Sequence, residues 1–283
     1  MSKNRNDRQV LAFGEEGQRD IEAQNVVVVG VGGLGAHISQ GLAYLGVIDC
    51  ATIDHDKISI TNLNRTPGAY PSDIDVPKVV IARRHFLQIS PDARAIALEK
   101  NLRSKEAIDV LTKATTIFGC VDHDGPRLIL MELAAAYGID YIDAATEIFP
   151  ASDKSTFDFG GRVVFSKPGQ FCLNCADQID LEAAKQDLED DETKKVRRAH
   201  GYGLEQVGEA PSVFSLNGII ANLALTEFMV SVTGIRAPEK KLSYRGMRGI
   251  VTASKDERKA DCFTCGYLAG KKHEANILRY ALS

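Results

Sequence analysis

The stretch Asn25 to Asp56, NVVVVGVGGLGAHISQGLAYLGVIDCATIDHD, limits the fold more than any other part of this 283-residue chain. Val26 to Val29 is continuously apolar, which predicts a strand covered on both faces, as in a parallel sheet. Gly30-Val31-Gly32-Gly33-Leu34-Gly35 follows, then a helix-length apolar pattern and a second short strand ending at Asp54. In such a βαβ unit Gly30 permits the tight turn and Gly32 lets phosphate approach the backbone. Gly35 lets the helix pack close to the strand. Gly33 belongs to the same turn, and the free N–H groups at the helix start attract an anion. Asp54 lies roughly 20 residues past the last glycine, the usual offset for a carboxylate that holds ribose hydroxyls.

Beyond this unit, strand-like runs at residues 93–98, TTIFGCVD and DYIDAATE alternate with helical segments KVVIARRHFLQI, SKEAIDVLTKA and PRLILMELAAAYG. That alternation predicts an α/β fold with a doubly wound, mostly parallel, Rossmann-like sheet. Ligands in such sheets sit beyond the carboxyl ends of the strands, where Gly30, Asp54 and Asp122 all fall. Three stretches are expected: an N-terminal helical segment (1–24), a nucleotide-binding core (25–150) and a continuous C-terminal part (151–283). The last includes GRVVFS, a charged run at 180–200, a long buried helix within 211–234, and late strands in KLSYRG and RGIVTAS.

Six cysteines divide by position. Cys50 and Cys120 sit in apolar runs and read as small buried hydrophobes. Cys172/Cys175 and Cys262/Cys265 form two C-x-x-C pairs, the spacing of a tetrahedral zinc site with four thiolates. A site closed by four cysteines is structural, and it would staple the C-terminal tail to the middle of the chain. Redox dithiols are the alternative, although neither pair opens a βαβ helix. The net charge of −4 argues against nucleic acid as the main partner. No apolar run is seen to approach the ~18–20 residues that span a bilayer, and MSKNRNDRQ lacks a signal-peptide core. No membrane partner and a cytoplasmic location are therefore expected.

Several ordered motifs resemble the family of ThiF, MoeB and the ubiquitin-activating enzymes. DRQVLAFGEEGQ is similar to its opening segment and VVVGVGGLG to its glycine turn. DHDKISITNLNR is similar to its D-x-D…S-N-L-x-R-Q stretch, and Pro77-Lys78, the Asp122/Arg127 spacing and the paired C-x-x-C motifs also match. The resemblance implies adenylation of the C-terminal carboxylate of a small ubiquitin-like or sulfur-carrier protein, with ATP, Mg2+ and structural Zn2+. It implies that Asp54, with Asp56 beside it, holds the ribose side and that Asn62, Arg65 and Lys78 line the phosphates. Asp122 would position magnesium or the α-phosphate. Arg8 would reach the neighbouring subunit's site, which implies a homodimer. Such chemistry needs cations and a metal more than a nucleophilic side chain.

Two departures stand out. Thr66 replaces an amide residue of the family pattern, and no cysteine lies between Cys175 and Cys262 to carry a thioester. The chain then either releases the acyl-adenylate or forms an oxyester on a serine, with Ser212 or Ser215 the candidates; Ser212 equally suits a helix cap. A conjugating enzyme is a further candidate partner. The competing classes are an NAD-dependent oxidoreductase, which leaves Asn62, Arg65 and Lys78 unexplained, and a non-catalytic activating-enzyme subunit.

Overall fold

In the computed structural model, which describes residues 5–149, 158–190, 192–193 and 211–282, the chain builds one eight-stranded sheet. Its elements run α1 (Asp7–Glu22), β1 (Asn25–Val29), α2 (Gly33–Leu45), β2 (Asp49–Ile53), α3 (Lys78–Ile89), β3 (Arg94–Leu98), α4 (Lys105–Leu111), β4 (Thr116–Gly119) and α5 (Asp124–Tyr137). They continue with β5 (Asp140–Phe149), β6 (Asp158–Ser166), α6 (Leu181–Leu188), α7 (Phe214–Thr233), β7 (Lys241–Arg245) and β8 (Ile250–Ala253). The spatial order is β3-β2-β1-β4-β5-β6-β7-β8. The first five strands are parallel, and β6, β7 and β8 add an antiparallel meander.

The valine run shows how sequence becomes layers. Successive side chains of a strand point to opposite faces. Val26 and Val28 therefore join one core with Ile21, Leu42, Phe86 and Phe228, and Val27 and Val29 join another with Leu111, Ile129, Leu133 and Tyr141. Helices α1, α2, α3 and α7 cover the first face; α4, α5 and the cysteine-bearing segments cover the second.

The strands at the centre read from sequence with near-correct limits, whereas β5 and β6 run longer than expected. Their outer halves pair with each other, Phe149 opposite Asp158, past the point where β4 ends. The 150/151 division and residues 191 and 194–200 of the charged run lie outside the described residues; the first part of the run forms α6. Helix α1 breaks at Gly14, whose φ of 77° is left-handed.

One expectation needs correction. Helix α7 spans 20 residues and is apolar enough to cross a membrane by length and composition. Here it is packed against α1, α2, β5 and β6. Buried Glu227 takes a two-pronged bond from Arg236 at 2.6 and 2.8 Å, a pairing that suits a protein interior.

A β-carbon at residue 35 would lie 1.9 Å from the Gly30 carbonyl oxygen. Gly35→Ala is expected to cost about 3 kcal/mol or more through backbone overpacking. Urea denaturation reads this directly; an unchanged midpoint would contradict the close helix–strand packing.

Candidate functional site

The glycine turn divides its labour. Gly30 has φ +82°, and a β-carbon there would meet the Cys120 carbonyl oxygen at 2.4 Å. Gly30 and Gly35 thus serve packing. Around Gly32 nothing lies within 4 Å of where a β-carbon would stand. It is the open side of the turn. The first bond of α2 runs from the Ala36 N–H to the Gly32 carbonyl, and no side chain caps the helix. The amides of Gly33, Leu34 and Gly35 precede that ladder, so they face the open side as anion donors.

Asp54 fixes this turn. One carboxylate oxygen accepts the Val31 N–H at 2.7 Å and the other the Asp56 N–H at 2.8 Å. Each oxygen keeps a further lone pair for a ligand hydroxyl. Asp56 accepts from Lys78 Nζ at 2.8 Å. Burial pushes the Asp56 carboxyl up, but the Lys78 hydrogen bond and charge outweigh it and hold the group below its ordinary value. The backbone N–H of Lys78 also bonds the Asp56 carbonyl, so the start of α3 is tied to the exit of β2. Ligand atoms of Asp54, His55 and Asp56 lie within 4.8 Å of one another, yet the contacts with Lys78 and two amides commit Asp54 and Asp56 to positioning.

The loop after β2 brings in the next groups. Asn62 caps its own turn by accepting the Ser59 N–H at 3.1 Å. Its carbonyl accepts the amides of Arg65 and Thr66 at 3.1 Å. Arg65 bonds the Thr61 carbonyl, and its Cγ would stand 3.2 Å from a β-carbon on Gly33. Thr66 is turned inward, and its buried hydroxyl has no hydrogen-bond partner among the described residues.

Asp122 is exposed in the β4–α5 loop. Cys120 N–H bonds the Val29 carbonyl at 2.8 Å, so this loop emerges beside the glycine turn. The structure therefore gathers Gly30–Gly35, Asp54, Asp56, Asn62, Arg65, Lys78 and Asp122 at the carboxyl edge of the parallel strands. Arg8 is not among them. It is exposed on α1, whose neighbouring Arg5 and Gln9 bond the Ala43 and Tyr44 carbonyls at the far end of α2. It cannot act on its own chain's site.

Ser212 does not cap α7; the cap position is Val213. Its Oγ accepts the Asn217 Nδ2 proton at 3.1 Å. Ser215 is exposed on the first turn. Asn217 went unnoticed in the sequence. It is 1% exposed, its Oδ1 accepts from Thr146 at 3.4 Å, and its Nδ2 would stand 2.3 Å from a β-carbon on Gly33. The available signal was an amide one turn into an otherwise apolar helix. An open groove of about 560 Å³ beside it, lined by His37, Phe214, Gly218 and Ile219 among others, offers no Lys or Arg to meet phosphate.

Sequence reasoning also missed a buried charge node. Asp143, wholly buried, accepts from Tyr141 Oη at 3.0 Å and from Arg162, with Arg127 Nε at 3.5 Å. Burial pulls the Arg127 pKa down, but Asp143 and the hydrogen bond to Asp124 prevail and raise it.

The four C-x-x-C sulfurs meet in the fold, all within 4.8 Å of one another. Sγ–Sγ separations are 3.8 Å for Cys172–Cys175, 3.5 Å for Cys172–Cys262 and 3.8 Å for Cys175–Cys265. Four sulfurs each about 2.3 Å from a tetrahedral ion lie about 3.8 Å apart, so the cluster is compatible with zinc. Thiol hydrogen bonds, first that from Cys265, hold Cys172 low, while burial pushes Cys175 up. Cys50 is a core residue whose thiol burial pushes up to about 12.

With this geometry in place, the family model that matches residues 6–264 is decisive: it describes the ThiF family. The chain belongs to the ThiF family. Among curated relatives, this ThiF-family chain is 27% identical over 162 residues to the sulfur carrier protein ThiS adenylyltransferase of Escherichia coli, covering 56% of this chain and 61% of that protein. It is 37% identical over 92 residues to the tRNA threonylcarbamoyladenosine dehydratase of Bacillus subtilis, covering 32% and 36%. The chain thus matches about a third to three-fifths of the length of these relatives. Among solved structures, E. coli MccB superposes with a TM-score of 0.71 at 19% identity, covering 94% of this chain and 73% of that one. That likeness establishes a shared fold.

Gly32→Ala should leave the denaturation midpoint unchanged, because its β-carbon would meet nothing. Gly33→Ala should lower it, because Asn217 and the Arg65 stem must yield. Equal midpoints for the two variants would contradict the packing at this turn.

Proposed function

We propose that this protein uses ATP to adenylate the C-terminal carboxylate of a small ubiquitin-like or sulfur-carrier protein, releasing pyrophosphate. The observation that carries the reading is that the segments bearing Arg65, Lys78 and Asp122 emerge at the same strand edge as the glycine turn, Arg65 beside Gly33, Lys78 on Asp56 and the Asp122 loop from the Cys120–Val29 bond. A dinucleotide site for hydride transfer needs the turn and Asp54 but not these three. The open space at Gly32 and the orphan α2 amides fit a phosphate chain. Asp54, which keeps acceptor capacity beyond its two amide bonds, would hold ribose hydroxyls, with Asp56 orienting Lys78. Arg65 and Lys78 supply positive charge where it builds on the α- and β-phosphates as the carboxylate attacks. Asn62 holds the Arg65 turn. Asp122 would hold magnesium, whose charge would neutralise phosphate oxygens. The likeness to the E. coli ThiS adenylyltransferase and the net charge of −4 favour a protein-borne carboxylate over one carried on tRNA.

The product is the acyl-adenylate. The hydrogen-bond partner of Ser212 is an amide, which cannot take up a proton, so that contact does not activate Ser212 for an oxyester. A conjugating enzyme would receive the acyl group only after a separate transfer. Arg8, exposed and remote from its own site, would serve a second subunit in a homodimer. Cys172, Cys175, Cys262 and Cys265 would hold zinc, which would tie the segment after β6 to the segment after β8.

ATP–pyrophosphate exchange with a carrier protein ending in glycine tests the reading. Lys78→Ala and Asp122→Ala should each lose at least 100-fold in exchange rate, and Gly32→Ala should weaken ATP binding about tenfold. Exchange at the wild-type rate in either charge variant would overturn the site assignment. Mixing Arg8→Ala with Asp122→Ala protein should restore part of the activity through mixed dimers; no recovery despite subunit exchange would remove the trans role. Elemental analysis should find one zinc per chain, and chelation should lower the melting temperature. A metal-free protein of unchanged stability would refute the zinc staple.

A further inference from the structure

The buried node beneath the site offers more than stability. Asp143 is the fourth residue of β5, paired across the sheet with Gly119, the last residue of β4. Gly119 is needed there: a β-carbon would fall 2.5 Å from the Tyr141 hydroxyl, which reaches through that space toward Asp143. Tyr141 and Asp143 stand two residues apart on one face of the strand, the face that α5 covers.

From Asp143 two arms extend. Arg127, on the first turns of α5 and 13% exposed, sits between Asp143 and Asp124, whose Oδ1 accepts its Nη1 at 3.0 Å. The other oxygen of Asp124 accepts the Asp180 N–H at 3.1 Å, and Asp187 accepts the Gly125 N–H at 2.9 Å. The first turn of α5 is thus held from below by Arg127 and from outside by α6. The second arm is Arg162 of β6, which bonds Asp143 and, at 3.4 Å, the Gln178 carbonyl just beyond the cysteine pair. Asp122, two residues before Asp124, is exposed and its carboxylate hangs from this braced turn.

We infer that Asp143 is a positioning residue: through Arg127 and Asp124 it sets where the Asp122 carboxylate meets magnesium on ATP. The inference rests on the reading of Asp122 given above. A carboxylate buried with two guanidiniums is a costly way to fill a core, and apolar residues of similar volume commonly do it as well or better. Its position opposite Gly119, where β4 ends and the Asp122 loop begins, gives the charge a use. A bidentate-capable, planar guanidinium also fixes direction more firmly than a lysine would.

The test compares ATP binding by the full-length protein with and without MgCl2, and amide hydrogen exchange over residues 119–126. Asp143→Asn keeps shape but removes the charge that orients Arg127. The expected result is a rise of about tenfold in the Kd for ATP with magnesium, a change of less than twofold without it, and faster exchange confined to 119–126. Wild-type affinity with magnesium, or equal weakening with and without it, would overturn the inference. Should Asp143→Asn fail to fold, Arg127→Lys answers the same question. It retains the charge but cannot span Asp124 and Asp143, and it should show the same magnesium-specific loss; wild-type binding would again overturn the inference. Asp122→Ala separates the two claims. If it keeps the magnesium effect, the Asp122 reading fails and this inference with it. If it loses the effect while the Asp143 and Arg127 variants behave as wild type, only the positioning role fails.

Discussion

The bond between the Asp54 carboxylate and the Val31 amide, 2.7 Å long, is the constraint on which the site depends. It ties the first glycine turn to the exit of β2, and its other oxygen turns the chain at Asp56 toward Lys78. The Gly30 N–H bonds the Ile53 carbonyl at 2.9 Å alongside it. One short polar side chain thereby holds three things in register: the open amides of α2, the loop that carries Asn62 and Arg65, and the start of α3. A carboxylate with four lone-pair positions does this and still has capacity for a ligand. Two helix starts and one loop then face the same small space with positive ends or positive side chains.

The same edge is closed from the other side by elements that meet only through the fold. Helix α7 brings Asn217 against Gly33, and the β4–α5 loop that carries Asp122 starts at Cys120 and Val121 beside Gly30. The paired cysteines hold the segment after β6, from which Gln178 meets Arg162. The buried charge node of Tyr141 and Asp143 therefore lies between the start of α5, through Arg127, and the segment after the first cysteine pair, through Arg162 and the Gln178 carbonyl.

Much of this was legible in the sequence for local reasons. The valine run, the glycine spacing, Pro77 before α3 and Ser104 capping α4 by accepting the Ala107 N–H at 3.1 Å are signals written within a few residues of where they act. The two C-x-x-C pairs announced a thiolate cluster because each half is local, although its closure across 90 residues is not. What escaped depended on distant partners. Asp143 looks like any polar residue in a strand until Arg127 and Arg162 arrive from α5 and β6. Asn217 looks like an interruption in an apolar helix until Gly33 is packed against it. Ser212 suits a cap by position, but the chain enters α7 one residue later. Arg8 is simply exposed within one chain, because any role it has lies in another. Helix α7 reads as a membrane-length segment only when its buried partners are ignored.

The most direct measurement asks which bond of ATP breaks and which oxygen is transferred. A carrier protein whose C-terminal carboxylate is labelled with 18O, incubated with this protein and ATP and then hydrolysed, should yield pyrophosphate and AMP that bears the label on its phosphate. That outcome requires attack by the carboxylate on the α-phosphate at the site built around Gly32, Arg65, Lys78 and Asp122. Release of ADP and inorganic phosphate, or AMP without label, would contradict it.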